Sequence, residues 1–520
     1  MSRRDGAGPG NSAHDVAVVG AGIVGCAAAR ELASAGYDVV LIDRGDFGAG
    51  TSSRSSRNLY CGLSYLKPDY PLWQMPFRLM DVASRLRLCW IVMRCRAEMV
   101  REMPERLEKL PYYFPYRRDQ KYPAWLIDLG FRILTAFSDG ISLAYRRIPA
   151  AEAKRKSGLV AQLASGLHSV GYLEEYQYRW AERICVETAL EAERYGAVLR
   201  TYTAVEDIAR DGDGWTLTVE DRTPEKRGAF QIRAKVVVNA AGPWIDRLVP
   251  SMQALERHVA PLKGVNLLVK LPEAYRGQGL QTFSTKAEGL GLYFMPWGDH
   301  HFIGPTETMV TDDPDTVRVT PEEIDYLLRE ANAIFPDLKL TPNDVIHGWC
   351  GVRPWSTDAN GKPFAPVRVR ERKEMPGVFS VTGATIMVNR HAARLVRKAI
   401  ARRIRPSRPS LPYGSMRRRG RRFESLEISE DLVSEIVQTE HVVSLGDLVR
   451  RRLPHGWEPD LGWSVLETLS RYAARALAWT EERRMAECQT YRDECVELFM
   501  PVVNKRPERN ELNGLSRIAR

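Results

Sequence analysis

The sequence predicts an α/β protein with a Rossmann-like dinucleotide-binding domain, an inserted substrate domain built on an antiparallel sheet, and a C-terminal all-helical domain. Three observations predict this fold class. A short apolar strand runs straight into a glycine-rich turn, short apolar runs fill the middle of the chain, and amphipathic helical spacing follows residue 425. Since 520 residues exceed the size at which one core keeps growing, several domains are expected.

The first element is a glycine motif that opens a dinucleotide site. An apolar strand over residues 16–19 leads into Gly20, Gly22 and Gly25, and small apolar residues continue to position 35 as a predicted helix. Gly20 permits a tight turn, Gly22 lets the backbone approach a pyrophosphate, and Gly25 lets the helix pack on the sheet. The helix N-terminus then favours the negative charge of the pyrophosphate.

The second strand supports the same assignment. Residues 39–42 form an apolar run that ends on Asp43, about 20 residues past the glycines, where a dinucleotide-binding fold places an acid for the ribose hydroxyls. Arg44 follows directly and is assigned to the same cofactor-binding set. Strand, glycines, helix, strand and acid stand in register, so we expect an adenine dinucleotide here.

Residues 70–148 are rich in Arg, Trp, Tyr and Leu at helical spacing and are predicted to form helices. The segment 123–127 fits a core or a membrane interface equally well. Two apolar sets are expected to face a core, namely Leu72, Trp73, Met75, Phe77 and Met80, and then Leu86, Leu88, Trp90, Ile91 and Met93.

The remaining elements alternate as in a two-sheet protein. A helix over 182–195 feeds a strand over 198–202, and alternating residues at 215–219 indicate an antiparallel excursion. A buried strand over 235–239 ends in small residues, which lets backbone approach a ligand at the carboxyl edge of the sheet. Further strands are predicted over 264–269, 291–296, 301–304 and 378–382, and helices over 390–402 and after Thr480.

Nine arginines between residues 402 and 422 have no acid to offset them and supply most of the formal net charge of +10. Prolines accompany them, so residues 399–424 are predicted to be an exposed basic linker that either stays solvated or touches anionic lipid. Apart from Tyr413, no aromatic residue interleaves these arginines, so nucleic acid is not expected as a partner. The predicted divisions are a disordered tail over 1–14, an oxidoreductase unit over 15–398, this linker, and a helical domain over 425–520.

The eight cysteines form no CxxC pair and no His/Cys cluster with zinc spacing, so we expect reduced, packed thiols and no metal. Cys61 and Cys350 lie near motifs described below, and a reactive role for either is the less favoured alternative. The chain has no stretch of about 18 uncharged apolar residues and no apolar centre of a signal peptide over residues 1–13, which predicts a cytoplasmic protein.

Five motifs in order resemble the FAD-dependent glycerol-3-phosphate dehydrogenase family, within the D-amino-acid-oxidase-like flavoproteins. They are the glycine motif, then GDFGAGTSSRSS at 45–56, NAAGPW at 239–244, GVRP at 351–354 and VTG at 381–383, and the helical segment LGDLVRRR at 445–452 follows. The resemblance covers nearly the whole chain and implies a Rossmann-like FAD-binding domain. It also implies oxidation of an alcohol carbon by hydride transfer to the flavin, with electrons passed to a quinone or another acceptor.

The same resemblance assigns further residues to the cofactor. Backbone near Val205 is expected to meet the adenine, and the turns at Gly242 and Gly383 are expected to approach the cofactor. Hydroxyls and amides for the pyrophosphate, the ribityl chain and the flavin edge are expected from Thr51, Ser52, Ser53 and Ser55.

The substrate pocket departs from the family pattern at three positions. Ser64 stands where the family has an arginine, Thr385 where it has a lysine, and Asn266 where it has a histidine. A phosphate dianion deprived of two cations would lose several kcal/mol of binding, at about 1.5–3 kcal/mol for each charge-assisted bond. We therefore expect weak or absent glycerol-3-phosphate activity and a less charged polyol, hydroxy acid or sugar-like alcohol as substrate.

Two arginines of the family pattern remain. Arg353 and Arg368 are expected to anchor a carboxylate or phosphate, or to polarise the developing carbonyl, and the alternative for each is a structural salt bridge. The group that accepts the hydroxyl proton is left open, and Tyr65 with Thr385 could order a water for this step. The nearest titratable candidates in the sequence are His300, His301, His347 and His391.

Two other functions stay open. The same flavoprotein fold supports oxidation of amines or amino acids, and a flavin-bound protein without catalysis could serve assembly. The resemblance and the basic, aromatic segments between Trp73 and Tyr145 also favour peripheral attachment to the inner face of a membrane.

Overall fold

The protein is described by a computed structural model over residues 13–68, 70–118, 120, 122–224, 227–284, 291–357, 363–364, 367–418 and 427–499. The strands are β1 (Ala13–Val19), β2 (Val39–Ile42), β3 (Asn58–Leu59), β4 (Leu107–Arg117), β5 (Arg146–Pro149), β6 (Leu167–Tyr178), β7 (Val198–Arg200), β8 (Thr203–Asp211), β9 (Gly214–Asp221), β10 (Gly228–Asn239), β11 (Val259–Val269), β12 (Gly279–Phe283), β13 (Gly291–Trp297), β14 (His300–Gly304), β15 (Thr308–Met309), β16 (Val345–Thr357), β17 (Pro363–Phe364), β18 (Arg368–Arg372) and β19 (Met375–Thr382).

The α-helices are α1 (Ile23–Ser34), α2 (Leu79–Glu102), α3 (Ala124–Ala136), α4 (Ala150–Lys156), α5 (Gly158–Ala161), α6 (Ala181–Arg194), α7 (Pro321–Ile334), α8 (Asn389–Ile400), α9 (Glu430–Thr439), α10 (Leu445–Asp447), α11 (Trp463–Leu477) and α12 (Glu481–Phe499). A π-helical turn at Leu448–Arg452 continues α10. No helix in the described part of the chain has both the length and the apolar character needed to cross a membrane.

The first sheet has a parallel core in the order β19-β10-β1-β2-β7. Its β1 strand is buried because parallel neighbours flank it on both edges and α1, α6 and α8 cover one face. The antiparallel hairpin of β8 and β9 extends from β10 and packs over the other face. This arrangement confirms the α/β fold class and its Rossmann-like domain.

The second sheet runs β17-β16-β11-β14-β13-β12-β4-β6-β3, with antiparallel pairing apart from the parallel β12–β4 pair. Apolar side chains of α4, α5 and α7 contribute to the core on one face. The other face packs against α2, α3 and the C-terminal helices. The sheet therefore joins the inserted domain to the C-terminal region through one continuous apolar core.

The helical prediction for residues 70–148 is wrong over β4. This strand pairs with β6 along its whole length, and its segment from Tyr112 to Tyr116 is buried on both faces. Because both faces are covered, the apolar and polar residues do not alternate, and the period-two signal of a strand is missing. Pro111 and Pro115 further disguise it, since proline is normally depleted in strands.

The prediction that the apolar residues of segment 72–80 face a core is also wrong. Trp73, Phe77, Leu79 and Met80 are 68–84% exposed. They belong to a 3₁₀ turn at Leu72–Phe77 and to the start of α2, where no other element covers them in the described structure. In the second set, Met93 is buried whereas Trp90 is 43% exposed.

The predicted linker is an ordered strap over its described part, residues 399–418. The amide of Arg408 donates to the carbonyl of Gly36 (2.8 Å), and that of Leu411 donates to Ser34 (2.7 Å). The Arg408 guanidinium pairs with Asp38 at 2.7 Å. These contacts fix the strap to the end of α1, so it is not a freely solvated linker. Residues 419–424 of the prediction lie outside the described residues.

The C-terminal region packs onto the second sheet through Trp457. Its carbonyl accepts a hydrogen bond from the Trp297 indole (2.7 Å), and its ring stands edge-on to Trp349 with 5.4 Å between centroids. The Arg57 guanidinium lies 3.6 Å from the centre of the same ring. The helices predicted after residue 425 therefore form part of the main body.

Both ends of the chain refine the predicted boundaries. Ala13 already belongs to β1, so the predicted tail is too long by two residues, and residues 1–12 lie outside the described residues. At the other end, the Thr480 hydroxyl accepts from the amide of Arg483 (3.2 Å) at the start of α12, as expected. Residues 500–520 are also outside the described residues.

Candidate functional site

A single cavity of about 1200 Å³ lies between the two sheets. One end is bounded by the turn after β1, and the other by side chains from β11, β13 and β16. Parallel strands present their carboxyl ends to the same edge of a sheet, which places the cavity where α/β folds bind ligands. The predicted cofactor and substrate residues that line it are Gly20, Gly22, Asp43, Arg44, Thr51, Ser52, Ser55, Ser64, Tyr65, Val205, Gly242, Asn266, Arg353 and Thr385.

The glycine turn has the geometry that the sequence predicts. Gly20 has a φ of +101°, and a Cβ there would lie 2.6 Å from the carbonyl oxygen of Ala240. A Cβ on Gly25 would overlap the carbonyl oxygen of Gly20, so this glycine serves helix–sheet packing and does not line the cavity. α1 begins directly after Gly22, and the amide of Ile23 donates to the Ser52 hydroxyl (3.0 Å).

Asp43 holds the turn and borders the cavity. Its carboxylate accepts hydrogen bonds from the amides of Ala21 (2.5 Å) and Gly45 (2.8 Å). Burial raises the pKa of Asp43, and these two amides oppose the rise. Arg44 pairs with Asp315 at 2.6 Å, with its guanidinium 4.9 Å from the Trp244 ring centre. The acid predicted for the ribose therefore stands at the cavity wall.

The hydroxyl-rich turn faces the cavity with only some of its side chains. Thr51 donates to the carbonyl of Val352 (2.8 Å), which ties the turn to β16. Ser53 donates instead to the carbonyl of Gly50 (3.0 Å) within its own turn and does not line the cavity, so its predicted contact with the cofactor is not supported. Successive residues of a tight turn point to different sides, which the sequence alone does not reveal.

Gly383 also lies behind the wall. Its φ is +71° and its amide donates to the carbonyl of Pro354 (2.7 Å), whereas Ala384 and Thr385 line the cavity after it. The glycine turns the chain and places its successors at the ligand. Its expected direct approach to the cofactor is therefore not seen.

The substrate end contains polar atoms without partners. Three side-chain atoms are buried and make no hydrogen bond within the described residues: the amide oxygen of Asn266, the hydroxyl of Thr385 and the amide nitrogen of Gln281. All three residues line the same cavity. Buried polar groups normally have partners, so these atoms are free to meet a ligand.

Arg353 is the charged centre of this end. Its guanidinium pairs with Glu307 at 2.9 Å and lies beside Gly264, whose missing side chain leaves room for it. Tyr65 stands close enough for its charge state to be influenced by both groups, and burial raises the pKa of its phenol. A protonated Tyr65 can donate a hydrogen bond but is a poor base.

Sequence reasoning missed several lining residues. Tyr60 contacts Tyr293 with 6.0 Å between ring centroids, and its hydroxyl accepts from the amide of Ser64 (2.6 Å). Arg54 also lines the cavity, and burial lowers the pKa of its guanidinium. Arg54 lies within the predicted hydroxyl run, between Ser53 and Ser55, so its position was a usable signal. Gln281, Tyr293 and Glu307 come from short strands or from a connection, and no local pattern marked them.

The structure contradicts the assignment of Arg368 to the active cavity. Arg368 lies in a separate depression of about 380 Å³ with Glu256, His258 and Arg370. It stands on β18, an edge strand that pairs only with β19 in the described structure, and it is not among the residues that line the large cavity. The spacing to Arg353 along the chain did not reveal this separation.

None of the four candidate histidines lines the cavity in the described structure. The His301 ring lies 3.2 Å from the carbonyl of Gln278, and burial lowers its pKa to about 4. His347 packs among Trp349 and Phe499, where burial lowers its pKa to about 3. His301 and His347 are thus packed away from the cavity, and the carboxylates at its substrate end belong to Asp81 and Glu307.

The eight cysteines are free and buried, as expected of packed thiols. Burial raises the pKa of Cys61 well above its usual range, which keeps this thiol protonated and unreactive. No group of three or more metal-ligating side chains occurs among the residues that the structure describes.

The cavity residues fit FAD. Typical pockets for drug-sized ligands measure about 300–1000 Å³, so a cavity of about 1200 Å³ accommodates a larger molecule. Gly20 and Gly22 leave open backbone at a helix N-terminus, which suits a pyrophosphate. The unpartnered atoms of Asn266 and Thr385 are the kind of donors and acceptors that a polar ring edge or a substrate hydroxyl would satisfy.

Comparisons with known proteins agree with this geometry. A family model described as FAD dependent oxidoreductase matches residues 15–392. The aerobic glycerol-3-phosphate dehydrogenase of Bacillus subtilis is 29% identical over 345 residues, covering 66% of this chain and 58% of that protein. The D-erythritol 1-phosphate dehydrogenase of Brucella abortus is 29% identical over 360 residues, covering 68% of this chain and 66% of that protein.

Solved structures show the same fold. The glycerol-3-phosphate dehydrogenase of Bacillus halodurans, determined in complex with FAD, superimposes with a TM-score of 0.68 at 21% identity over 94% of this chain and 95% of that one. Glycine oxidase of Geobacillus kaustophilus gives 0.53 at 24% identity over 78% of this chain and 100% of that one. The family match spans well over half of the sequence, and the chain therefore belongs to the FAD-dependent oxidoreductase family.

Proposed function

We propose that this chain is an FAD-dependent dehydrogenase that oxidises an alcohol carbon of a polyol, a polyol phosphate or a related substrate, with electrons passed to a quinone or another acceptor. One observation carries the proposal. A single cavity connects the dinucleotide turn at Gly20 to the unpartnered polar atoms of Asn266 and Thr385 and to Arg353. Relatives that act on glycerol 3-phosphate and D-erythritol 1-phosphate support the same chemistry.

The cofactor would be held by the residues of the first domain. Gly20 and Gly22 offer open backbone, Asp43 faces the ribose position, and Ser52 and Thr51 stand beside the helix N-terminus. When bound, FAD supplies an acceptor for the hydride of the alcohol carbon. The residues of this chain then have to bind the substrate, exclude water and handle the hydroxyl proton.

Arg353 and Tyr65 suit the substrate oxygen. The guanidinium can stabilise negative charge that develops as a hydroxyl becomes a carbonyl, and the protonated phenol can donate a hydrogen bond to the same oxygen. The amides of Asn266 and Gln281 offer one acceptor and one donor for further hydroxyls. This set is suited to a molecule with several hydroxyls.

Glu307 is the proposed acceptor of the hydroxyl proton. Two carboxylates, Asp81 and Glu307, line this end of the cavity. Asp81 is already bonded to Tyr70 (2.7 Å) and Arg85 (2.7 Å). Glu307 contacts Arg353, the residue assigned to the substrate oxygen, and this proximity favours it for the proton step once the substrate has replaced it as the partner of the guanidinium.

We expect the missing cations at positions 64 and 385 to weaken the binding of glycerol 3-phosphate. Ser64 and Thr385 carry no charge where the related family has cations, and Arg353 is already paired with Glu307. A phosphate dianion loses about 1.5–3 kcal/mol for each charge-assisted bond that is absent. Polyols and polyol phosphates with their phosphate near the open end of the cavity remain compatible with this arrangement.

Anaerobic flavin reduction tests the proposal. Purified holoprotein is mixed with glycerol, erythritol, their 1-phosphates, short hydroxy acids and a panel of amines, and bleaching of the oxidised flavin is recorded. We expect bleaching by an alcohol and none by amines. Bleaching by amines alone would assign the chain to amine oxidation, for which the glycine oxidase fold is the precedent. No bleaching by any compound would refute both activities.

A matched pair of variants locates the chemistry. Arg353→Gln should slow reduction by the active alcohol about a hundredfold, because the substrate oxygen loses its charged partner. Arg368→Gln is the control, since Arg368 lies in a separate depression, and it should change the rate less than about twofold. Equal losses in both variants would contradict the placement of the active centre.

We also propose that the protein binds peripherally to the inner face of the cell membrane and exchanges electrons there. The support is an apolar surface made of Trp73, Phe77, Leu79 and Met80, and Trp125 on α3 is also 64% exposed. Residues 81–88, which follow this surface on α2, contribute Asp81, Ser84, Arg85 and Leu88 to the cavity wall. The apolar surface thus borders the cavity, where a lipid-soluble quinone could arrive.

A further inference from the structure

The loop that follows β2 is tied to the C-terminal region by buried charges. Asp46 is 1% exposed, and its carboxylate accepts from the Arg451 side chain at 2.5 Å and from Arg452 at 2.8 Å. A second nitrogen of Arg452 contacts the same carboxylate. Both arginines are themselves buried, at 7% and 1% exposure. The family match ends at residue 392, so both cations come from outside the family region.

The two arginines are held in place by a second set of contacts. Asp447 accepts from Arg451 at 2.6 Å and from the Tyr202 hydroxyl at 2.7 Å. Burial opposes its ionisation, but Arg451 and Arg452 outweigh this and lower the pKa of Asp447 to about 2. The carbonyl of Glu440 accepts from Arg452 at 2.6 Å. The π-helical turn at Leu448–Arg452 presents both guanidinium groups to the first domain.

The same loop forms the wall of the dinucleotide end. Its backbone is fixed on one side at the start of β8, where the backbone amide of Tyr202 donates to the carbonyl of Gly45 (2.9 Å) and the amide of Thr203 donates to that of Asp43 (2.7 Å). Asp43, Arg44, Gly45, Ala49 and Gly50 line the cavity, whereas Asp46 points away from it. Asp46 and its arginines can therefore influence a ligand only through the position of the loop.

We propose that Arg451 and Arg452 are positioning residues for the cofactor and that the C-terminal region is required for its tight binding. Without the arginines, a buried carboxylate has no cation, and the loop must shift to reach water. Such a shift moves Asp43 away from the ribose and Gly50 out of the wall. The inference rests on cofactor binding in this cavity and not on the identity of the substrate.

Arg450 provides a matched control within the same turn. It is as buried as Arg451, at 7% exposure, but it pairs with Glu494 and its guanidinium lies 5.4 Å from the Tyr491 ring centre, on the C-terminal side. We compare Arg451→Gln with Arg450→Gln in the full chain. The dissociation constant for FAD is measured by quenching of flavin fluorescence on titration of apoprotein. We expect this dissociation constant to rise about tenfold or more in Arg451→Gln and less than about twofold in Arg450→Gln.

Hydrogen exchange gives a readout that needs no cofactor. In the apoprotein, amides of residues 43–50 should exchange faster in Arg451→Gln than in wild type or Arg450→Gln. Arg452→Lys is a second variant in case Arg451→Gln does not fold. It keeps the charge but lacks the fork that spans both oxygens of Asp46, so we expect an intermediate rise in exchange rate and in the dissociation constant for FAD. Wild-type affinity and exchange in both Arg451→Gln and Arg452→Lys, or equal loss of affinity in Arg450→Gln, would overturn the proposal. A wild-type protein that takes up no FAD would instead refute the cofactor assignment.

Discussion

Ser64 is the position where one added charge should change the substrate preference. It lines the cavity, its side chain is exposed, and its amide is anchored to the Tyr60 hydroxyl at 2.6 Å, so a longer side chain can enter without disturbing the core. Ser64→Arg should lower the dissociation constant for glycerol 3-phosphate about ten- to hundredfold, because one charge-assisted bond contributes about 1.5–3 kcal/mol. This dissociation constant is measured from the spectral shift of the bound flavin on titration with glycerol 3-phosphate.

Two comparisons make this result specific to charge. Ser64→Gln adds a polar side chain of intermediate length without a charge and should leave the affinity within about threefold of wild type. Glycerol, which lacks the phosphate, should bind Ser64→Arg no better than wild type. An equal gain for glycerol would show that the arginine acts by filling space.

At the same scale, the sequence predicted residues whose role is local. Gly20 adopts a positive φ beside Ala240, and the carboxylate of Asp43 accepts a hydrogen bond from the glycine turn after β1. The short spacing between these residues in the sequence was therefore sufficient to identify both. It did not identify Gln281, which stands on a strand that pairs with the distant β4, or Glu307, which lies in the connection between β14 and β15. Arg368 failed for the same reason, since its position depends on which edge of the sheet β18 joins.

The segment from Trp73 to Met80 is the element whose exposure should decide membrane binding. Phe77 and Met80 are 83% and 84% exposed, and their transfer into a lipid interface removes apolar area from water. The double variant Phe77→Ser with Met80→Ser should reduce co-sedimentation with vesicles of zwitterionic and anionic lipid about tenfold, at about 25 cal/mol per Å² of buried apolar surface.

Met485 on α12 is the control for that experiment. It is 61% exposed but belongs to a different helix, so Met485→Ser should leave vesicle binding unchanged. Wild-type protein that remains in the supernatant at low salt would contradict the proposed attachment. A loss of binding that is equal in all variants would point to a general electrostatic effect.

This element also shows what periodicity cannot tell. The apolar spacing over residues 72–80 correctly indicated an apolar surface, but the pattern is the same whether protein or lipid covers it. In β4 the opposite problem arises, because burial of both faces removes the alternation by which strands are recognised. The parallel strands β1 and β2 were predictable since a glycine turn and an acid marked their ends.

For the molecule as a whole, two buried histidines predict sensitivity to acid. Burial lowers the pKa of His347 to about 3 and that of His301 to about 4, whereas an unfolded histidine titrates near 6.5. The unfolded state therefore binds more protons between these values, and stability falls as the pH drops below about 6.5. At pH 4.5 the buried His347 alone lowers the free energy of unfolding by about 2–3 kcal/mol relative to neutral pH.

Acid unfolding followed by tryptophan fluorescence measures this effect. His347→Phe should move the midpoint to lower pH, because the aromatic site keeps its packing and no longer opposes protonation. His168→Phe replaces an exposed histidine and should leave the midpoint in place. A midpoint that is the same in both variants would show that other groups control acid unfolding.

The contact of Trp457 with Trp297, Trp349 and Arg57 limits how far the protein can be shortened. A fragment that stops after the strap, at residue 418, would retain the whole segment by which the family is defined. It would nevertheless expose an indole-lined depression, which favours aggregation in water, and it would remove the ring that covers the Arg57 guanidinium. The smallest unit that folds by itself is thus longer than the segment that matches the family, residues 15–392. A shortened flavoprotein made from this chain should therefore lose loops and keep the C-terminal helices.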